Sequence, residues 1–452
     1  MSTPRTVAFH TLGCKLNYSE TSVISKMFED NGYLPVKFED GADIYVINRC
    51  SVTDFADKKC RKTVRKALLK QPDAFVVIVD CYAQLKPEEI SNIEGVDLVL
   101  GAAQKFRILE YVDGLTKSPG KGMVQASEVK EASSFTHAFS FGNRTRSFLK
   151  VQDGCDYKCS FCTIPLARGS SRSDTVDSVV ERAYKIAAMG VKEIVLTGVN
   201  IGDFGNGTEV VEGLKPKKEA LLIDLVKALD NVQAIERFRI SSIEPNLLTS
   251  EIIEFSAKSN RFVPHFHVPL QSGNNKQLKM MRRRYKRELY ADRVENIKRV
   301  MPHCCIGVDV IVGFPSETEE DFLETYRFVN ELDISYLHVF THSERTNTPA
   351  AEMENPVPMQ IRRQRNEMMR ILSEKKRRYF YQQHIGQTRS VLLEGSKIEG
   401  KMVGFTDNYI KVLLDFDENL INSICKVKLE ELRPDGLVEG RIVNVGHEFL
   451  AI

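Results

Sequence analysis

The chain has almost no surplus charge: 63 lysines and arginines against 61 aspartates and glutamates leave +2 over 452 residues. Bulk charge therefore neither demands nor excludes nucleic acid, and any basic footprint has to be local. No uninterrupted apolar run approaches the ~18 residues of a membrane helix, so no membrane partner is expected. No charged stretch followed by an apolar one opens the sequence, so a cytoplasmic setting is expected rather than a secretory one. In a reducing compartment the ten cysteines read as thiols or metal ligands, not disulfides. The length suggests about three domains at roughly 150 residues each.

What the chain does have is one dense stretch, DGCDYKCSFCTIPLARG, from Asp153 to Gly169. It holds Cys155, Cys159 and Cys162 in a CxxxCxxC spacing. A structural zinc would want a fourth ligand, and the nearest histidine, His137, lies outside the loop. Three close thiolates suit a 4Fe–4S cube with one iron left open. An open iron can chelate the amino and carboxylate groups of S-adenosylmethionine (SAM).

Upstream, strand and helix signals alternate. Thr6–Cys14, Ile44–Asn48, Ala74–Cys81 and Val96–Gly101 read as strands, and about Asp57–Lys70 as a basic helix. Asn17 is expected to cap the first helix, with Glu20 completing a capping box. The alternation implies a doubly wound parallel sheet. Cys14, Cys50 and Cys81 then fall at the carboxyl ends of three strands, the edge at which such sheets bind ligands. They are either a second three-thiolate site or three packed thiols. Cys60, away from a strand end, reads as packed, as do Cys304, Cys305 and Cys425. Residues from about 117 to 146 lack periodicity and read as a linker.

From 147 to 340, strand then helix recurs six times. The strands are expected near Ser147–Gln152, Glu193–Gly198, Arg237–Ser241, His265–Leu270, Gly307–Gly313 and Tyr336–Phe340. The helix between the first two is expected over Asp174–Met189, capped by Asp174. Six such units make an open partial (β/α)6 barrel with its active end at the carboxyl termini of the strands. The cysteine loop follows the first strand, at that end. His265 and His267 share a face, where hydrogen bonding inside the barrel is expected rather than metal binding.

GCDYKCSFCTIPLARG, completed by Arg172 and Ser173, resembles the radical-SAM methylthiotransferase family. TLGCKLN around Cys14, CSVT from Cys50 and CYAQ from Cys81 resemble its tRNA branch that acts on N6-threonylcarbamoyladenosine (t6A). The resemblance implies two 4Fe–4S clusters, one on Cys155, Cys159 and Cys162 (the catalytic set) and an auxiliary one on Cys14, Cys50 and Cys81. It implies SAM contacts from Phe161, from Thr197, Gly198 and Asn200, from Ser241 and Glu244, from Gln271, and from Val312 and Gly313. It divides the chain into an N-terminal methylthiotransferase domain (1–130), a linker (131–146), a radical-SAM domain (147–382) and a C-terminal domain (383–452). Two positions depart from the pattern: Arg49 stands where threonine is usual, and Asn347 where glycine is expected.

The implied reaction is methylthiolation at C2 of t6A beside the anticodon. That C2–H is neither acidic nor replaceable by polar chemistry. A 5′-deoxyadenosyl radical can remove the hydrogen, and the auxiliary cluster supplies sulfur. The implied partners are the anticodon stem-loop of tRNA, a reductase or flavodoxin-type electron donor and a sulfur donor. The alternatives are an aspartate of a ribosomal protein, isopentenyladenosine in tRNA, and a non-enzymatic iron–sulfur RNA-binding module.

Three basic runs could grip phosphate: Lys58, Lys59, Arg61, Lys62, Arg65 and Lys66; Lys279–Arg287; and Arg362–Arg378, with eight basic and two acidic residues. The short apolar runs after about 383 read as a small antiparallel barrel and resemble the TRAM domain, an RNA-binding barrel. Against simple phosphate binding, eight Lys/Arg face eleven Asp/Glu from Ile385 onward.

Overall fold

Alternating side chains build the first sheet. In the computed structural model, which describes residues 4–50, 55–112, 117, 120–132, 134–142 and 145–443, Ile44, Val46, Val77 and Val79 face one side. Tyr45, Ile47, Val76 and Ile78 face the other. All are buried, so each strand needs a cover on both faces, the condition for a parallel sheet. Six strands pair in parallel in the order Leu34–Val36, Thr6–Leu12, Ile44–Arg49, Phe75–Val79, Leu98–Leu100, Met123–Gln125. The four expected strands form its middle. The two edges are three-residue strands, and Met123–Gln125 falls in the stretch expected to be linker: three residues are too few to show a period.

The first helix runs Lys15–Asp30 and begins three residues earlier than expected. Cys14 is its N-cap, and Asn17 sits inside the first turn, its Oδ1 accepting from the Cys14 amide at 3.3 Å. Ser51, Val52 and Thr53 of the second cysteine motif, the side chain of Lys58 and residues 444–452 lie outside the described residues.

Six parallel strands then form an open half-barrel in two three-stranded sheets. One is Arg237–Ile240, Glu193–Thr197, Arg146–Lys150; the other is His265–His267, Cys305–Val312, Tyr336–Thr341. Bridges Phe238↔Phe262 and Ser242↔His267 join them. The helix after the first strand is Val176–Ala188, and its cap is Thr175, not Asp174: the Thr175 hydroxyl accepts from the Ser178 amide. Asn347 has φ +67°, the left-handed conformation that explains the expectation of glycine there and that asparagine tolerates.

The C-terminal strands close into a five-stranded barrel around Val391, Leu393, Val412, Val427 and Leu429. It is not wholly antiparallel, because Lys411–Leu414 and Val438–Ile442 pair in parallel. This barrel abuts the amino ends of the half-barrel strands, where Arg237 Nη2 donates to Ser390 Oγ at 2.8 Å and Arg146 pairs with Glu394 at 2.9 Å. Among the described residues no helix is long and apolar enough to cross a membrane.

The first sheet and the half-barrel meet through buried charge. Lys105 pairs with Glu20 and Asp80, both at 2.8 Å. Arg168 reaches Glu20 at 3.0 Å, Asp80 at 2.7 Å and Asp153 at 3.1 Å. Lys150 pairs with Glu20 at 3.1 Å and Asp153 at 2.7 Å. Burial alone would raise the Glu20 carboxyl, but Arg168, Lys105 and Lys150 outweigh it and hold it well below the usual range; Lys150 and Arg168 do the same for Asp153. Depressed carboxyls contribute stability that is present above their unfolded pKa, about 4, and lost as pH falls below it. Glu20→Gln removes one of the three carboxylates shared by these buried cations, leaving a buried positive charge uncompensated, and should cost about 3–5 kcal/mol in denaturant unfolding at pH 7. It should also flatten the loss of stability below about pH 4. Lys26→Ala, at an exposed pair on the same helix, should stay within about 0.5 kcal/mol.

Candidate functional site

Backbone geometry fixes the central cysteine loop before any side chain acts. Gly154 has φ +69°, and a Cβ there would lie 1.9 Å from the Ser170 carbonyl oxygen, so only glycine fits. Cys155 N donates to Gly169 O at 3.0 Å, closing the loop on itself. Ser160 anchors it to the next lobe, donating from N to Met281 O at 3.1 Å and from Oγ to Met280 O at 2.8 Å. Cys155, Cys159 and Cys162 come close enough for their charges to couple.

The other three cysteines, 36 and 31 residues apart in sequence, also converge. Cys50 hydrogen-bonds Cys81 and lies within electrostatic range of Cys14. Cys14 Sγ donates to Asn17 Oδ1 at 2.9 Å, and Asn17 Nδ2 ties that turn to Asn48 Oδ1 at 2.8 Å and to Asp80. Gly13 leaves room for this: a Cβ there would stand 2.7 Å from Asn17 Oδ1 and 3.0 Å from Cys50 Cβ. By contrast Cys60, Cys304 and Cys305 are packed in apolar cores, and Cys425 lines the C-terminal barrel.

An arginine touches one sulfur of each triplet. Arg168 Nε donates to Cys81 Sγ at 3.2 Å. Arg283 Nη1 donates to Cys159 Sγ at 3.1 Å, and its Nη2 bonds Glu244. The sequence pointed to Arg283 as part of an RNA grip; it is instead inside the site. Arg284 pairs with Glu212 at 2.6 Å and lies over Tyr157, and Arg287 bonds Glu324, so these two arginines of the Lys279–Arg287 run are committed to partners in the fold, while Lys279, Arg282 and Lys286 are exposed.

Burial pushes the thiols up: Cys14 and Cys162 to about 11, and Cys155 further. For Cys81 the hydrogen bond with Cys50 comes first and burial second. Such sulfurs ionise only when positive charge arrives, so a metal–sulfur cluster would bind with release of protons. Among the described residues no three His, Cys, Asp or Glu side chains close on the position of a single metal ion. A cube held by three thiolates is a larger body than one ion, and the all-thiol donor sets, each touched by an arginine, fit it.

The expected SAM contacts divide. Asn200 is 4% exposed, and its amide Oδ1 and Nδ2 have no partner. Its backbone N and that of Val199 donate to Gln152 Oε1 at 2.8 and 2.9 Å, which fixes the turn after Thr197 and Gly198. Phe161 and Gln271, with Cys162, Thr163, Asp309, Ile311 and His342, line a cavity of about 250 Å³. Gln271 holds φ +66° at its rim. Ser241 is buried at its strand end. Val312 and Gly313 are not in the lining: Val312 is in the core, and a Cβ on Gly313 would meet Arg362 Cγ at 2.3 Å, so this glycine lets the helix Met359–Gln382 approach. Asp309, which the sequence did not single out, is held by His267 Nε2 at 2.9 Å. His265 bonds Tyr336 OH at 3.1 Å, as the hydrogen-bonding role expected for the pair requires.

Lys15, next to Cys14 in the chain, keeps solvent access although its ammonium is largely enclosed. Burial, then Arg239 and Arg146, lower its ammonium to about 8.

The long basic helix needs correction. Arg362 and Arg365 are 3% and 5% exposed and pair inward, with Glu344, Glu317 and Glu319. The arginines that face outward are Arg363, Arg370 and Arg377, seven residues apart on one face, lining a groove of about 730 Å³. On the helix Phe55–Lys70, Lys59, Arg61, Lys62, Arg65 and Lys66 are exposed.

Asn200→Leu removes two buried, unpaired polar atoms. It should leave unfolding stability unchanged or raised, and weaken SAM binding about tenfold by calorimetric titration, about one lost hydrogen bond.

Residues 149–329 match the Radical SAM superfamily, and residues 6–101 match Uncharacterized protein family UPF0004. The chain is 41% identical over 433 residues to the threonylcarbamoyladenosine tRNA methylthiotransferase MtaB of Bacillus subtilis (strain 168), covering 94% of this chain and 93% of that one. It is 30% identical over 447 residues to the tRNA-2-methylthio-N(6)-dimethylallyladenosine synthase of Akkermansia muciniphila, covering 93% and 95%. Among solved structures, the radical S-adenosylmethionine methyltransferase TsrM from Kitasatospora setae, with cobalamin and a 4Fe-4S cluster bound, gives a TM-score of 0.52 at 15% identity over 77% of each chain, a likeness of fold.

Proposed function

Because the chain belongs to the tRNA methylthiotransferases of the radical SAM superfamily, we propose that it attaches a methylthio group to C2 of t6A beside the anticodon of tRNA. The cofactors are SAM and 4Fe–4S clusters. When bound, they supply a carbon radical able to take the C2 hydrogen and a sulfur to replace it. In this reading Cys155, Cys159 and Cys162 hold the cluster that meets SAM, and Cys14, Cys50 and Cys81 hold the one that carries sulfur. The observation that carries it is the juxtaposition of two thiol triplets across one buried seam, with Arg168 of the first loop bonded to Cys81 of the second.

Each side chain has a task. Asn200 and Glu244 meet the polar groups of SAM, and the cavity of Phe161, Ile311 and Gln271 takes an apolar face. Arg283 and Arg168 favour the ionised sulfurs they touch. The ammonium of Lys15, beside Cys14 and reachable by solvent, suits the carboxylate of a threonylcarbamoyl group better than an isopentenyl chain. A cytoplasmic setting, a reductase or flavodoxin-type electron donor and a sulfur donor belong to the same reading. Splayed bases of an anticodon loop are open to such a site.

The acceptor decides between substrates. Reconstituted protein should methylthiolate threonylcarbamoylated tRNA, read by nucleoside mass spectrometry; turnover only on isopentenylated tRNA or on a basic ribosomal protein would overturn the assignment. Anaerobic reconstitution should give about eight irons per chain, and about four after Cys155, Cys159 and Cys162 are all changed to Ala.

The RNA grip is expected on the outward faces. Replacing Arg363 and Arg370 with Gln should weaken tRNA binding and flatten its salt dependence, because fewer counterions are released. Arg362→Gln should instead lower folding stability. Equal salt slopes in parent and double variant would remove this helix from the interface.

A further inference from the structure

The strand Ile44–Arg49 brings two neighbours to the cysteine rim, Cys50 and, just before it, Arg49. Arg49 is 2% exposed. Its Nε and Nη1 have no hydrogen-bond partner, and among the described residues no carboxylate pairs with it. Its Cζ stands 5.8 Å from the centre of the Tyr82 ring, the residue after Cys81. The guanidinium thus belongs to the chain neighbour of Cys50 and faces that of Cys81.

A buried guanidinium keeps its charge, and a buried charge with no counterpart is strongly unfavourable. The other arginine at this rim cannot share its own counter-charges. Arg168 is already divided among Glu20, Asp80 and Asp153, and the three carboxylates of that lattice are matched by Lys105, Lys150 and Arg168. Arg172 adds a fourth cation, on Asp153 at 3.0 Å, so no carboxylate of the lattice is left for Arg49. Burial also argues against an RNA phosphate as its partner, since a backbone phosphate needs an accessible cation.

A 4Fe–4S cube on three thiolates is net negative, and an anionic sulfur on its open iron makes it more so. We infer that Arg49 is a positioning residue for the auxiliary site: its unpaired N–H groups donate to sulfur of the cluster held by Cys14, Cys50 and Cys81, and so favour its more negative states. The inference rests on the proposal that these cysteines hold a cluster. Hydrogen bonds to cluster sulfur and nearby positive charge raise reduction potential, which gives a readout separate from turnover.

The test uses full-length protein with Cys155, Cys159 and Cys162 changed to Ala, so that only the auxiliary cluster remains, followed by redox titration with electron paramagnetic resonance. Absence of iron in this background would overturn the cluster itself. With iron present, Arg49→Gln should move the midpoint to a more negative potential, and Arg49→Lys, which keeps the charge, should fall nearer the parent. An unchanged midpoint in Arg49→Gln with full iron content overturns the role of Arg49 and leaves the cluster standing. Should Arg49→Gln fail to retain iron, unfolding of the iron-free proteins decides. Losing an uncompensated buried charge should raise the apo melting temperature, whereas a lowered one marks Arg49 as structural and sinks the inference.

Discussion

The lattice of Glu20, Asp80, Asp153, Lys105, Lys150 and Arg168 is the constraint on which the arrangement of the site depends. Three carboxylates and three cations, all nearly dry, alternate across the seam between the first sheet and the half-barrel. Such a cluster is a poor source of net stability, because desolvating the charges offsets most of their attraction. Its effect lies in geometry. Apolar side chains at this seam would tolerate a slide of one element on the other, whereas each carboxylate here has only one arrangement that satisfies it. Asp80 precedes Cys81, Asp153 lies two residues before Cys155, and Arg168 closes the central loop. Fixing these charges therefore fixes the distance between the two thiol triplets.

That dependence shows why part of the site was legible in the sequence and part was not. The central loop is local: its three cysteines, Gly154 and the ARG end carry their geometry in one stretch. The second triplet was legible through topology, because alternation of buried residues implied a parallel sheet and a parallel sheet gathers its strand ends at one edge. The lattice itself gave no signal. Glu20 looked like half of a capping box, and Lys105 lies in a turn with no motif; only the three-dimensional seam makes them partners.

The arginines were misleading for a related reason. A run of basic residues says nothing about which faces inward until it is placed on its helix. Arg362, Arg365, Met369 and Leu372 follow one another at steps of three, four and three residues, one buried stripe of the helix Met359–Gln382. Reading that stripe through the charges would have assigned Arg362 and Arg365 to the interior and left Arg363 and Arg370 outside. Arg283 was harder, since it lies in a turn with no period to read, and its partners Cys159 and Glu244 are far away in sequence.

The same distinction accounts for the acidic C-terminal barrel. Its excess of carboxylates looked incompatible with nucleic acid when counted over the sequence. Several of them are committed to cations instead. Glu394 crosses to Arg146 at the base of the half-barrel, Asp407 holds Arg389 at 2.8 Å, and Glu439 pairs with Lys401 at 3.1 Å and Arg433 at 3.4 Å. Arg146, Arg237 and Arg239 approach the barrel from two strands of one sheet, so an acidic, aromatic surface with Tyr409 under Arg239 is what that junction requires. Charge used in the junction is not available to repel a phosphate elsewhere. The sign of the barrel's outer face is set by the residues left over after these pairs, and a composition count, which weighs inner and outer carboxylates alike, cannot report it.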